Sequence, residues 1–177
     1  MIKLWLFVEG RDEKRFIDGV FGSLLINKYG KYEFIEYPGL NLEQRMTLVR
    51  GFEAKGQNYI FLSDTDPYDC LLKKKEEIIR QIKAKKKPQI SIVNFEIESW
   101  YLGGLCEEKC KQLRIPFVPD VEVINKEEFK KYAIKSGHSI KELKLIIIEK
   151  YDINIALQRS KSFSYFMRNY LNKRVLL

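Results

Sequence analysis

Three short apolar runs in this chain each stop abruptly at carboxylates, and no other feature constrains the fold as tightly. Ile2-Lys-Leu-Trp-Leu-Phe-Val-Glu-Gly10 carries Glu9 at its tip, with Glu13 four residues further on. Ile60-Phe-Leu-Ser-Asp-Thr-Asp-Pro67 delivers Asp64 and Asp66 before proline ends the run. Ile90-Ser-Ile-Val-Asn-Phe-Glu-Ile-Glu-Ser-Trp100 ends in Glu96 and Glu98. Nearly continuous apolar runs of this length predict central strands buried on both faces. In an open α/β sheet the C-terminal ends of parallel strands share one edge, where ligands bind. Carboxylates gathered there repel one another and stay ionised together when a cation sits among them.

Taken in order, the chain predicts β-α-β-α-β-α-β up to Trp100, hence a parallel sheet with right-handed crossovers. A strand over 3–8 turns at Gly10 into a helix over about 13–27, which Asp12 could cap. Strand 32–37 alternates in character and suits a position near an edge. Asn41 is placed to cap a helix over 42–54 that stops at Lys55-Gly56. Strand 59–62 brings Asp64 and Asp66, and Asp69 reads as a cap for a lysine-laden helix over 70–86, or else as another acid at the site. That lysine run suits a solvated face, or phosphate contact if it borders the acidic edge. Strand 90–95 completes the sheet. Beyond Gly103-Gly104 the pattern turns helical, broken at Ile115-Pro-Phe-Val-Pro119. Asn125/Glu128 and Ser139/Glu142 have capping-box spacing. A basic, aromatic helix over 162–173 closes the chain. The expected organisation is a core over 1–104 and a helical extension over 105–177 packed on it.

With 177 residues and 45% hydrophobic content, the chain can bury a real core. A formal net charge of +8 suits an anionic partner such as nucleic acid. Cys70, Cys106 and Cys110 lack the further Cys or His residues that would complete a zinc site, and fit thiols in a reducing cytoplasm. Neither a secretory signal nor an apolar run of membrane-spanning length is legible, so the expected location is cytoplasmic, with no membrane partner.

Val8-Glu-Gly-Arg-Asp-Glu13 followed by Ser63-Asp-Thr-Asp66 resembles the Toprim domain. That domain is shared by topoisomerases, bacterial primases, recombination-repair proteins and nucleases of the overcoming-lysogenization-defect (OLD) family. Glu96-Ile-Glu-Ser-Trp-Tyr-Leu102 further resembles small stand-alone Toprim-like proteins. The resemblance spans about residues 1–104, and more loosely Ser160-Lys-Ser-Phe163. It implies a Rossmann-like α/β fold with a central, mostly parallel four-stranded sheet flanked by helices. It also implies a Mg²⁺ (or Mn²⁺) dependent nuclease acting on DNA or RNA. An ATPase partner chain is implied too, because nuclease-type Toprim domains often act beside one. This chain has no Gly-x4-Gly-Lys-Ser/Thr loop of its own.

Hard carboxylate oxygens are what such a cation requires. Asp64 and Asp66 are the first candidates for ligands. Glu9, by resemblance, is a ligand or a general acid/base. Glu13 matches a second metal position, or is a first-turn residue favoured by the helix dipole. Glu96 and Glu98 point to one side if the strand continues through them. If a helix begins at Ile97, only one faces inward. Trp100 and Tyr101 fit a core better than a base-stacking platform. Lys161, by loose similarity to the terminal lysine of Toprim nucleases, and Arg11 are candidate cations beside a scissile phosphate. The rival expectation is a non-catalytic module that binds nucleic acid or a partner. The segment 105–177 could serve a homodimer, substrate binding or partner docking. A haloacid-dehalogenase-type phosphatase would carry its Asp-x-Asp on the first strand, where this chain has Glu9-Gly10.

Overall fold

The computed structural model describes residues 3–65, 70–84 and 87–172. The chain divides into two compact units, Met1–Ile92 and Val93–Leu177. Among the described residues, no helix is long and apolar enough to cross a membrane.

The first unit is α/β. Four strands, β1 (Lys3–Val8), β2 (Lys31–Glu36), β3 (Asn58–Asp64) and β4 (Gln89–Val93), form one sheet in the order β2-β1-β3-β4. β1 runs parallel to both neighbours, with Val8 opposite Glu36 on one side and Phe7 opposite Phe61 on the other. The apolar runs of β1 and β3 are buried because both strands are internal, whereas β2, at an edge, has no fully buried residue. Helices α1 (Arg11–Val20) and α2 (Gly22–Tyr29) follow β1, α3 (Leu42–Ala54) follows β2, and α4 (Leu71–Ile82) follows β3. Phe7, Phe61, Val49, Phe52, Ile78 and Ile82 belong to one apolar cluster joining sheet, α3 and α4. Phe7 and Phe61 stack across the strand pair at 4.1 Å, a contact worth about 1 kcal/mol beyond its buried area.

Three local outcomes differ from the sequence-based expectation. The single helix expected over about 13–27 is two helices, with Phe21 as the irregular joint. A Cβ at Gly22 would lie 2.5 Å from the Tyr32 hydroxyl, so glycine lets the edge strand's tyrosine approach the second helix. The helix expected over 70–86 ends at Ile82, where Lys83 takes a left-handed conformation (φ 45°). Asn41 caps α3 as expected, accepting from the Gln44 amide. Asp12 does not cap α1: it pairs with Arg15, and Gly10 holds the N-cap position.

The second unit is helical beyond the sheet. It holds α5 (Glu98–Gly103), α6 (Glu107–Gln112), α7 (Lys126–Ser136), α8 (Ile140–Glu149), α9 (Ile153–Arg159) and α10 (Lys161–Tyr170), with a 3-10 turn at Val121–Val123. The Asn125 and Ser139 caps predicted from spacing are present on α7 and α8. Every residue of α5 is buried. Trp100, at its centre, meets Phe163 and Phe166 of α10 edge-on at 5.2 and 5.5 Å. The Trp100 indole donates to Ser162 Oγ at 2.8 Å, and the Tyr151 hydroxyl donates to the Trp100 carbonyl at 2.8 Å. A side chain at Gly104 would strike the Tyr151 ring at 2.6 Å, which explains a glycine where the chain leaves α5. The expected boundary after Gly104 contrasts with this grouping, in which α5 belongs with the helices that enclose it.

Candidate functional site

In the sheet order the chain moves from β1 outward to β2, then returns to the other side of β1 for β3 and β4. The order therefore reverses between β1 and β3, the place where open α/β sheets leave a crevice at their C-terminal edge. Glu9 immediately follows β1, and Asp64 is the last residue of β3.

These two residues are directly joined. Glu9 Oε1 accepts from the Asp64 amide at 3.1 Å, from Ser63 Oγ at 2.7 Å and from the Tyr37 hydroxyl at 2.8 Å. Tyr37 also lies 2.9 Å from Ser63 Oγ. Burial, and then the charge of Glu9, push the Tyr37 hydroxyl well above the usual phenol range, so it remains a donor. Three donors converging on one oxygen fix the Glu9 carboxylate by structure rather than by chance contact. Lys74 of α4, 12% exposed, brings its ammonium to 4.0 Å from the same oxygen. The lysine-rich helix thus does border the acidic edge, at one of its residues.

Glu13 is buried, and its Oε2 accepts from the Gly10 amide at 2.9 Å. Burial raises its carboxyl above the ordinary 4.5, and the nearby charges of Glu9 and Asp12 push the same way against backbone hydrogen bonds that lower it. Glu13 therefore serves as a helix-start acceptor and also feels the Glu9 charge. Arg11 is exposed at the first position of α1.

Asp66 and Asp69 lie outside the described residues. Glu96, Glu98 and Lys161 belong to the second unit. β4 ends at Val93, Phe95 turns with φ 58°, and α5 starts at Glu98, so the two glutamates diverge. Glu96, partly exposed, accepts from the Lys126 amide at the start of α7. Glu98 is buried and pairs with Lys144 at 2.6 Å. Lys161 is exposed at the head of α10.

Sequence reasoning missed Tyr37 and Ser63. Tyr37 directly follows β2 and precedes the Pro38-Gly39 turn, so its place at a strand tip was a usable signal. Ser63 gave none, being an ordinary small residue inside a buried strand. A second buried polar cluster also went unread: Glu122 Oε1 accepts from Ser160 Oγ at 2.6 Å, Ser162 Oγ at 2.8 Å and the Ser162 amide at 3.1 Å.

Among the described residues, no group of three or more His, Cys, Asp or Glu side chains is arranged to hold a metal ion. The donor chemistry nonetheless fits a hard divalent cation. Glu9, Glu13 and Asp64 offer only carboxylate oxygens, the donor type such a cation takes, and burial, with the charge of Glu9 adding to it, raises the Glu13 carboxyl. No family model, curated protein or solved structure matches the chain.

Proposed function

We propose that the first unit is a Toprim-like domain whose carboxylates hold Mg²⁺ or Mn²⁺ and cleave phosphodiester bonds in nucleic acid. One observation carries this reading: the Asp64 amide donates to Glu9 where the strand order reverses. Glu9 and Asp64 would hold the cation, joined by Asp66 on the ground of the motif it shares with Asp64, and Glu13 senses the charge of Glu9. A cation bound there would polarise a phosphodiester and lower the pKa of a water nucleophile. The chain's own part is to present Glu9 in one orientation, fixed by Tyr37 and Ser63. Because Oε1 already accepts from three groups, a ligand engages Glu9 through Oε2.

A second reading has its own support. Lys74 approaches Glu9 at 4.0 Å and supplies positive charge without any metal. That arrangement suits a non-catalytic module binding nucleic acid or a partner chain.

Cleavage of labelled single-stranded DNA, duplex DNA and RNA, with Mg²⁺ or Mn²⁺, separates the two. The metal-centre reading expects cutting that EDTA abolishes and that Asp64→Asn/Asp66→Asn lowers by about 100-fold or more. It also expects Mn²⁺ to raise the melting temperature of the native chain and not of the double variant. Absence of both cutting and metal-dependent stabilisation would favour the module.

A further inference from the structure

The final stretch of the chain differs in charge from everything before it. From Ile153 to Leu177 the sequence holds Arg159, Lys161, Arg168, Lys173 and Arg174 with no Asp or Glu, so all 24 acidic residues precede it. Arg159 is turned inward, donating to the carbonyls of Leu102 and Gly103 at 2.9 and 3.2 Å. α10 is firmly seated through its inner side, where Phe163, Phe166, Met167 and Tyr170 are buried. Its start is held by Ser160, which caps the Phe163 amide, and by Glu122, which accepts from Ser160 and Ser162.

The outer side of this fixed helix presents Lys161, Tyr165, Arg168 and Asn169, all exposed. At 100° per residue these four fall within roughly 100° of arc and about 12 Å of helix length. Tyr165 is 38% exposed, with its ring edge-on to Tyr170 at 6.4 Å. The Asn169 side-chain amide donates to the Tyr165 carbonyl at 2.7 Å, on the same face. An aromatic ring thus stands on a rigid helix with a cation about one turn away on either side and no carboxylate along the helix.

We propose that this face of α10 holds a single strand of nucleic acid, with Lys161 and Arg168 on phosphates and Tyr165 stacked on an unpaired base. Uniformly positive charge complements a phosphate backbone, and ring stacking requires a base whose face is free. A duplex satisfies the charge and offers no such face. A membrane surface would call for large aliphatic residues on the exposed stripe, and these four positions hold none. The inference rests on the proposed function only in taking nucleic acid as the partner, and its test requires no metal.

Fluorescence anisotropy of the full chain, in EDTA, with short mixed-sequence single-stranded DNA, RNA and the matching duplex tests it. Expected is tighter binding to single strands than to duplex, with Tyr165→Ala weakening it about tenfold and Tyr165→Phe retaining it. Arg168→Ala is expected to lower the slope of log affinity against log salt by about 0.7. An unchanged melting temperature for each variant confirms that the fold is intact. No binding at about 50 mM salt, equal affinity of Tyr165→Ala and the native chain, or preferential capture by anionic vesicles would overturn the assignment. Strand binding that depends on Tyr165, without any metal-dependent cleavage, upholds α10 and sinks the metal centre. Cleavage with binding indifferent to Tyr165 does the reverse.

Discussion

Glu98 and Lys144 form an ion pair at 2.6 Å inside the second unit, with 3% and 1% of their side chains exposed. The rings of Tyr101 and Phe129 lie 5.2 and 5.4 Å from the ammonium. Removing one partner of such a pair leaves a buried charge without compensation, which costs about 3–5 kcal/mol, whereas apolar replacement of both is often near neutral. Lys144→Met should therefore lose several kcal/mol in urea unfolding, and Glu98→Leu/Lys144→Met should recover most of it. A double variant no more stable than the single one would mean the pair stabilises outright.

Glu13 should make stability fall with pH. Its folded carboxyl is raised above the ordinary 4.5 by burial and by Glu9. Between 4.5 and that raised value the unfolded chain has released its proton while the native chain still holds one, so native stability drops as pH rises and then levels off. Glu13→Gln retains an acceptor for the Gly10 amide and removes the titration. Its stability relative to the native chain should increase from about pH 4 upward, measured by urea unfolding across that range. A difference that does not vary with pH would exclude Glu13 as the source.

Tyr37 and Ser63 share one acceptor, Glu9 Oε1. Tyr37→Phe and Ser63→Ala should each cost about 1–2 kcal/mol. Their effects should also fail to add, with a coupling of about 0.5 kcal/mol or more in a double-mutant cycle. Strict additivity would show that the two hydroxyls act on Glu9 independently.

The Trp100 indole finds its acceptor in Ser162, which in turn donates to the buried Glu122. Ser162→Ala removes the acceptor of that buried N–H at a cost of about 1–3 kcal/mol. Trp5 and Trp100 are the two tryptophans of the chain, so in a Trp5→Phe background the emission reports on Trp100 alone. A spectral shift with Ser162→Ala is expected, and an unmoved spectrum would contradict the bond.

The sheet was legible in the sequence because its strands are short apolar runs closed by acids or turns, although β3 runs on to Asp64 and β4 stops at Val93, short of the expected 95. Lys3–Val8 is an apolar run closed by Glu9-Gly10, and β1 has those bounds. Parallel β-α-β order alone then puts Glu9 and Asp64 on one edge of the sheet. What could not be read depends on partners distant in the chain. The break at Phe21 lies between Gly19 and Gly22, and the close approach of Tyr32 that Gly22 permits comes from the edge strand. Glu96 and Glu98 had two readings, and the turn at Phe95 gives them different surroundings, one an amide at the head of α7 and the other an interior lysine. Glu122 meets Ser160 and Ser162 across about forty residues, and burial makes that cluster strong without leaving a periodic trace.

The enclosure of α5 has a consequence for how the protein is made. Trp100 leaves the ribosome sixty or so residues ahead of Ser162, Phe163 and Phe166, the groups that cover it. During that interval a large indole and its neighbours on α5 must remain in water or find temporary shelter, at a pace of about 5–20 residues per second. The first unit, complete by Ile92, has no such wait. A nascent chain stalled short of residue 160 should therefore carry a finished α/β half and a sticky, protease-sensitive tail, the form in which a chaperone would meet it.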